Sequence, residues 1–475
     1  MAQLHDLTAL EQAAAVRSGQ ISATELVQHY LGRIAEHGDT VGAFVTVTAD
    51  AAREAARAAD ARTRQGTDGL PPLHGVPIAI KDLTVTKGVR TTFGSAAFAD
   101  FVPPVDADVV ALLRAAGTIS LGKTTTSEFG LSLHAETEVA PPARNPWSLS
   151  HTAGGSSGGA AAAVAAGLLP VAQGNDGGGS VRIPSSICGL VGFKPSRGLV
   201  SHGPIGAGGF GLPTNGPIGR TVSDVAAVLD AIAVPMPGEP YPSPPRPAGG
   251  YLRALDAAPP QRLKIGRFTA PMLADVPVDP ACLAAVDAAT AALTEAGHEV
   301  VDVPGLLDPA LEARFDRVWA ALALSAVVPP DAEPKLLPLT RWMRGLGAQL
   351  SAGTLMADLT EVQHDVRRVL RTLAPYDLLL SPTLAAPQAA IGYFAGADEP
   401  AEDFARQKRF SPYCAAYNVT GQPAVSLPVG RTPDGLPVGA MLAGAVGADA
   451  LVLAVAAQIE RFGPWADRHP ALWAG

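Results

Sequence analysis

The feature that most constrains this chain is a change of rhythm at Gly75. From there, short β-rich apolar runs alternate with helical segments: VPIAIKD at 76–82, DADVVALLRAAG at 106–117 and TISLGKT at 118–124. Strands that alternate with helices bury their apolar faces in layers, so the pattern predicts an α/β fold. The rhythm resumes with LKIGRF (263–268), a helix from Pro280 to Gly297 and HEVVDV (298–303). DLLLSPT (377–383), PAVSLPVG (423–430) and LPVGAMLAG (436–444) read as late strands, followed by a helix near 448–461.

The residues before Gly75 read as helical. Ser22-Ala-Thr-Glu25 is a capping box, in which the Ser hydroxyl and Glu carboxylate satisfy free backbone N–H groups. Leu26, Tyr30, Leu31 and Ile34 then recur at helical spacing, with Gly38 as the expected C-cap. An alanine-rich helix is expected over 51–61. The segment VPMPGEPYPSPPRPAGG (234–250) holds too many prolines for a central sheet and is expected to run over the surface. Residues 305–372 read as mostly helical. No internal repeat is visible. The expected organisation is one domain over 1–475: a helical segment (1–64), a core (65–233), the Pro/Gly-rich excursion (234–250), and the rest of the core (251–475) with a helical insertion near 305–372.

Composition narrows the function. With 47% apolar and 17% charged residues, the chain can bury a large core. A net charge of −9 and the lack of any Lys/Arg run speak against a nucleic-acid surface. Three scattered cysteines (Cys188, Cys282, Cys414) suggest a reduced compartment without a disulfide framework, and no His/Cys cluster has metal-ligand spacing. The N-terminus shows no signal-peptide pattern, and the longest apolar run, 159–172, is too short to span a bilayer. The chain therefore reads as cytoplasmic, without a membrane partner.

Two motifs are decoys. GTISLGKT (117–124) fits the phosphate-loop expression letter for letter, but its inner residues form a β-branched alternating run that follows a helix. A phosphate loop follows a strand and curls its N–H groups around the anion. A strand ending in a turn is the expected structure. GGSSG (154–158) fits the nucleophile elbow of a Ser-His-Asp α/β-hydrolase centred on Ser156. That reading needs a strand just before the serine, whereas NPWSLSHTA is turn-like. None of His202, His298, His364 or His469 lies in a context that singles it out.

A second serine offers more. Ser180 follows Gly177-Gly178-Gly179, and glycines without Cβ atoms let several backbone N–H groups converge on one point, as an oxyanion requires. A glycine turn with a capping serine is the plainer use of the same letters. A base is also needed, and Lys81 ends the apolar run VPIAIKD, which would carry it into the interior. Burial favours the neutral amine, which can accept a proton near neutral pH. A lysine snorkelling to solvent, or paired with Asp82, is the alternative.

HGVPIAIKDL, GGSSGG and the block Asp-Gly-Gly-Gly-Ser-Val-Arg-Ile-Pro together closely resemble the amidase signature family of Ser–cisSer–Lys hydrolases. The spacings agree, with 75 residues from Lys81 to Ser156 and 24 from Ser156 to Ser180. The match is densest over 73–205 and extends more weakly through NVTGQPAVSLPVG (418–430) to PWADRHP (464–470). The resemblance implies a large twisted mixed β-sheet with helices on both faces. It makes Ser180 the nucleophile, Ser156 a proton relay after a cis peptide bond, and Lys81 the base. Backbone N–H groups of Gly177, Gly178, Gly179 and Ser180 would hold the oxyanion. Asp176, Arg182 and Ser157 would support the site, Ser157 and Cys188 being motif neighbours outside the chemistry. No metal or organic cofactor is implied.

The chain departs from the common family pattern. Asn175-Asp176-Gly177 stands where many members have Ser/Thr-Asp-Thr, and Ala153 replaces a frequent proline. This version, with NVTGQPA and PWADRHP, is most similar to bacterial 6-aminohexanoate cyclic-dimer hydrolases and their amidase relatives. The implied partner is a small linear or cyclic aliphatic amide, and a homodimer is among the assemblies open to the chain. Two rival expectations are the amidase subunit of a glutamine-dependent tRNA amidotransferase, and a binding protein on an inactive amidase scaffold.

Overall fold

The computed structural model describes residues 3–206, 208–256, 262–304 and 309–474. Helices α1 (Ala9–Ser18), α2 (Ala23–Val41) and α3 (Ala49–Gln65) open the chain, with strand β1 (Phe44–Val47) between the last two. Then come β2 (Pro77–Lys81), α4 (Asp108–Ala115) and β3 (Ile119–Thr124). A ribbon of β4 (Arg144–Asn145) and β5 (Ser148–Thr152) precedes α5 (Gly158–Ala165), β6 (Val171–Asp176), α6 (Arg182–Cys188) and β7 (Val191–Lys194). The middle of the chain forms β8 (Thr214–Gly219), α7 (Val222–Ile232), α8 (Tyr251–Ala254), β9 (Lys264–Arg267), α9 (Pro280–Glu295) and β10 (Glu299–Asp302). Three helices follow: α10 (Pro309–Ser325), α11 (Pro338–Gln349) and α12 (Ala352–Leu373). The chain closes with β11 (Leu378–Pro382), α13 (Pro400–Phe410), α14 (Cys414–Thr420), β12 (Ala424–Arg431), β13 (Pro437–Gly444) and α15 (Asp449–Phe462).

Among the described residues, eleven strands form one mixed sheet in the order β1-β3-β2-β6-β8-β7-β12-β13-β11-β9-β10. Strand β2 runs parallel to β3 and β6, while β6 is antiparallel to β8 and β12 to β13. Alternation sorts the apolar side chains onto two faces. Ile78 and Ile80 join one buried cluster with Leu378, Leu380 and Leu442, while Ala79, Leu379, Met441 and Ala443 join the other. The α/β expectation and the mixed sheet with helices on both faces are thus found.

On the second face lies α5, whose residues Gly158 to Ala165 are all buried. Its side chains are so small that the helix approaches its neighbours at backbone distance. A Cβ on Gly159 would stand 2.4 Å from Thr125 N and 2.5 Å from Ala43 O. A third apolar cluster, including Val318, Trp319, Leu339 and Met343, lies under the helices α10 to α12. No helix among the described residues is long and apolar enough to cross a membrane.

Two sequence expectations need correction or bounding. Helix α2 does not stop at Gly38; it runs to Val41 and is capped by Gly42 at φ 58°. Its buried face continues through His37, Gly38 and Val41, so packing carries the helix past the glycine. The helical stretch expected over 305–372 is found as α10 to α12, with residues 305–308 outside the described ones. The segment 234–250 holds no helix or strand and is mostly part-exposed or exposed.

Candidate active site

Three chain segments meet on the face that α5 covers. Strand β2 ends in Lys81, which is fully buried. The loop before α5 carries Ser156 after a cis Gly155–Ser156 peptide bond. The turn between β6 and α6 carries Ser180. Because β2 and β6 are sheet neighbours, with Ile80 opposite Gln173, the base candidate and the serine turn come from adjacent strand ends.

Lys81 Nζ lies 2.6 Å from Ser156 Oγ. It also donates to Asn175 Oδ1 at 2.6 Å and to the Asn175 carbonyl at 3.3 Å. Its own backbone N–H donates to Gln173 Oε1 at 3.0 Å. Burial pushes the Lys81 amine well below the ordinary lysine value, against the opposing pull of the Asp176 carboxylate. The alternatives for Lys81 are therefore absent: it does not reach solvent, and Asp82 turns instead to Thr92 and Lys123.

Ser157 ties the two serine loops together. Its N–H donates to the Ser180 carbonyl at 3.2 Å and its hydroxyl to the Asn175 carbonyl at 3.2 Å. Among the described residues, the Ser180 and Ser156 hydroxyls make no hydrogen bond with each other; Ser180 instead opens into a cavity.

The Ser180 turn is built around the Asp176 carboxylate, which accepts six hydrogen bonds. Oδ1 takes Gly179 N–H (2.8 Å), Arg182 Nη2 (2.8 Å) and Asn418 Nδ2 (2.9 Å). Oδ2 takes Val181 N–H (3.2 Å), Arg182 N–H (3.4 Å) and Arg182 Nε (2.9 Å). Both side chains of this ion pair are fully buried. Burial alone would raise the Asp176 pKa, but the Arg182 guanidinium outweighs it and holds the carboxyl well below the usual range. Gly179 sits at φ 129°, and a Cβ there would stand 2.6 Å from Cys414 Cβ and Ile183 Cδ1, so the turn requires glycine.

The convergent donor set is narrower than expected from the letters. Gly179 N–H is spent on Asp176, so it does not face an oxyanion in this structure. The N–H groups of Gly177, Gly178 and Ser180 have no acceptor among the described residues. Trp319 lies over this turn, its ring 3.4 Å from where a Gly177 Cβ would sit.

The decoys resolve as strand and turn. Lys123 lies on β3 and is buried, donating to the Thr84 carbonyl, Thr86 and Thr91 rather than lining a phosphate loop. Among the described residues, no histidine bonds to Ser156. His202 meets the Pro213 carbonyl, His298 meets Gln458, His364 lies near Glu361, and His469 stacks on Trp473.

The sequence reading did not single out Gln173, Asn175 as a Lys81 partner, or Asn418. The first two were detectable in principle: polar residues two apart in a buried strand point to one face. Asn418 reaches Asp176 from 242 residues away, and its presence in NVTGQPA carried no geometric signal.

Ser180 and Gly178 line a cavity of about 70 Å³, with walls mainly from Leu131, Leu133, Ile183, Leu273, Phe315, Trp319 and Phe404. A larger cavity of about 610 Å³ lies alongside under α12 and shares Phe315 with it. It contains none of Lys81, Ser156 or Ser180, so the smaller cavity is the one joined to the reactive side chains.

The chain is similar to known proteins over nearly its whole length. The profile of the Amidase family matches residues 25–453. The acylamidase of Rhodococcus erythropolis is 35% identical over 492 residues, covering 98% of both chains. The 6-aminohexanoate-cyclic-dimer hydrolase of Paenarthrobacter ureafaciens is 35% identical over 493 residues, covering 98% of this chain and 96% of that one. The solved structure of 6-aminohexanoate cyclic dimer hydrolase complexed with substrate superposes with a TM-score of 0.90 at 32% identity, over 99% of this chain and 100% of that one.

Proposed function

The chain belongs to the amidase signature family and hydrolyses amides, and from that premise we propose that Lys81, Ser156 and Ser180 carry the reaction within one amidase domain. The observation that carries the reading is the environment of Lys81 Nζ. Two carbonyl oxygens of Asn175 can only accept, so they take both N–H bonds of a neutral amine. The lone pair then faces Ser156 Oγ at 2.6 Å and can accept its proton.

Ser180 Oγ attacks the amide carbonyl carbon as its proton passes to Ser156 Oγ, whose own proton moves to Lys81. A C–O bond forms, and the negative charge on the carbonyl oxygen is met by the N–H groups of Gly177, Gly178 and Ser180. Collapse breaks the C–N bond, and the departing amine takes a proton back through Ser156 from Lys81. Water then attacks the acyl-enzyme by the same route and releases the acid. Three side chains, the substrate and water balance every step. The apolar walls of the Ser180 cavity suit small linear or cyclic aliphatic amides.

Purified Ser180→Ala and Lys81→Ala should each lose turnover by at least about 10³-fold across linear, cyclic, aryl and primary amides. Near-normal activity of either variant sinks the assignment. Turnover by the purified chain alone also separates it from a subunit that needs a complex, and labelling of Ser180 by a serine-directed phosphonate separates it from an inactive scaffold.

A further inference from the structure

We propose that Gln407 determines specificity by selecting amides whose acyl part carries a second carbonyl group, a reading that rests on Ser180 being the nucleophile. Gln407 lies on α13, is 4% exposed, and lines the same cavity as Ser180. Its orientation is fixed, because the Leu133 backbone N–H donates to its Oε1 at 3.1 Å and a backbone N–H cannot accept. The NH₂ end is thereby committed to the other side. Gln407 Nε2 is buried and has no hydrogen-bond partner among the described residues.

An unpaired buried donor is unfavourable in the free protein, and a ligand that supplies the missing acceptor removes that penalty. The surrounding wall is largely hydrocarbon, including Leu131, Leu133, Leu273 and Phe404. A wholly hydrocarbon acyl chain would leave the donor unpaired, and a chain with a correctly placed carbonyl would satisfy it. Sites built this way discriminate strongly, because the wrong substrate strands a buried polar group.

The charges at the cavity wall decide which acceptor is favoured. Lys408 Nζ is held at 2.7 Å by both Glu312 and Asp316, so the cluster carries one positive and two negative groups. Glu312 and Lys408 line the cavity. A carboxylate would meet a net negative field, whereas a ketone or second amide carbonyl brings the acceptor without the charge. The acyl side is chosen because the acyl group stays bonded to Ser180 Oγ after the amine departs. The wall that includes Ser180 therefore reads the retained half.

The test compares kcat/KM for hexanamide with 4-oxohexanamide and 5-oxohexanamide, by ammonia release, and for N-butyl hexanamide with its 3-oxobutyl counterpart, by product analysis. Gln407→Glu keeps the acceptor for Leu133 but replaces the donor with oxygen; Gln407→Leu removes both. We expect the wild type to prefer at least one oxoacyl amide by roughly tenfold over hexanamide. That ratio should fall towards one in Gln407→Leu and lower still in Gln407→Glu. Equal ratios in all three enzymes, or a Gln407-dependent preference confined to the amine-side ketone, would overturn the proposal. No turnover of any amide by the wild type, with no phosphonate labelling of Ser180, would instead overturn the catalytic assignment and this inference with it.

Discussion

Replacing Asp176 with asparagine changes one oxygen to NH₂ in the centre of the Ser180 turn. The six hydrogen bonds divide evenly, three to each carboxylate oxygen. Whichever way the new amide is turned, three donors therefore face an NH₂ group that can only donate. The fully buried Arg182 also loses its counter-charge. Breaking a buried ion pair from one side costs about 3–5 kcal/mol, against a whole-domain stability of about 5–15 kcal/mol. Urea unfolding at pH 7, followed by tryptophan fluorescence, should show that loss. Amide hydrolysis should fall in the fraction that remains folded, because the same carboxylate holds the N–H groups of Gly179, Val181 and Arg182 around the nucleophile. In the double variant Asp176→Asn/Arg182→Met the stranded charge is gone, and part of the stability should return. An Asp176→Asn protein within about 1 kcal/mol of wild type, or a double variant no more stable than the single one, would refute this account.

Gly159→Ala should reverse the usual sign of a glycine-to-alanine change in a helix. The ordinary gain of about 1 kcal/mol is outweighed by a Cβ placed 2.4 Å from Thr125 N, and a loss of about 2 kcal/mol is expected; an unchanged or higher Tm would contradict it. The acid limb of kcat/KM should lie well below the ordinary lysine pKa, since burial lowers that of Lys81. Lys81→Arg, which stays charged, should be inactive throughout, and a limb near pH 10 would be inconsistent with a neutral Lys81 base. Burial also lowers the His134 pKa to about 4. The unfolded state then binds the extra proton below about pH 6.5, so this contribution to stability is whole above that pH and is lost as pH falls towards 4. Urea midpoints at pH 7 and 5 should show a drop that is shallower in His134→Gln by up to about 1.4 kcal/mol per pH unit; equal slopes would exclude His134 as the source.

Much of the molecule was legible because local signals and tertiary packing agree. The strand ending in Lys81, the strand carrying Lys123 and the helix capped by Ser22 stand where their patterns place them. The strand β8 was not legible. TNGPIG carries no alternation, and Pro217 argues against a central strand. It nevertheless lies between β6, which pairs with it from Thr214 to Gly219, and β7, whose register covers only Gly219 and Ile218, so Pro217 lies beyond the pairing on the β7 side. In the candidate site, residue types pointed to the two serines and the lysine. They could not reveal that Asn418 would reach Asp176, or that Gly179 would give its N–H to the same carboxylate. Those facts depend on which way each polar atom turns in a closed space.

The placement of α10 to α12 has a consequence for how such an enzyme changes over time. These helices contribute Phe315 and Trp319 to the reactive cavity and hold their own apolar cluster. Among the described residues, however, none of them forms a hydrogen bond or ion pair with Lys81, Ser156, Asp176 or Arg182. Substrate range can therefore drift by exchange of a few ring and aliphatic side chains on this roof while the proton relay beneath it keeps its geometry. A combinatorial library confined to the roof positions around Phe315 and Trp319 should accordingly yield many folded, active variants that differ in what they accept.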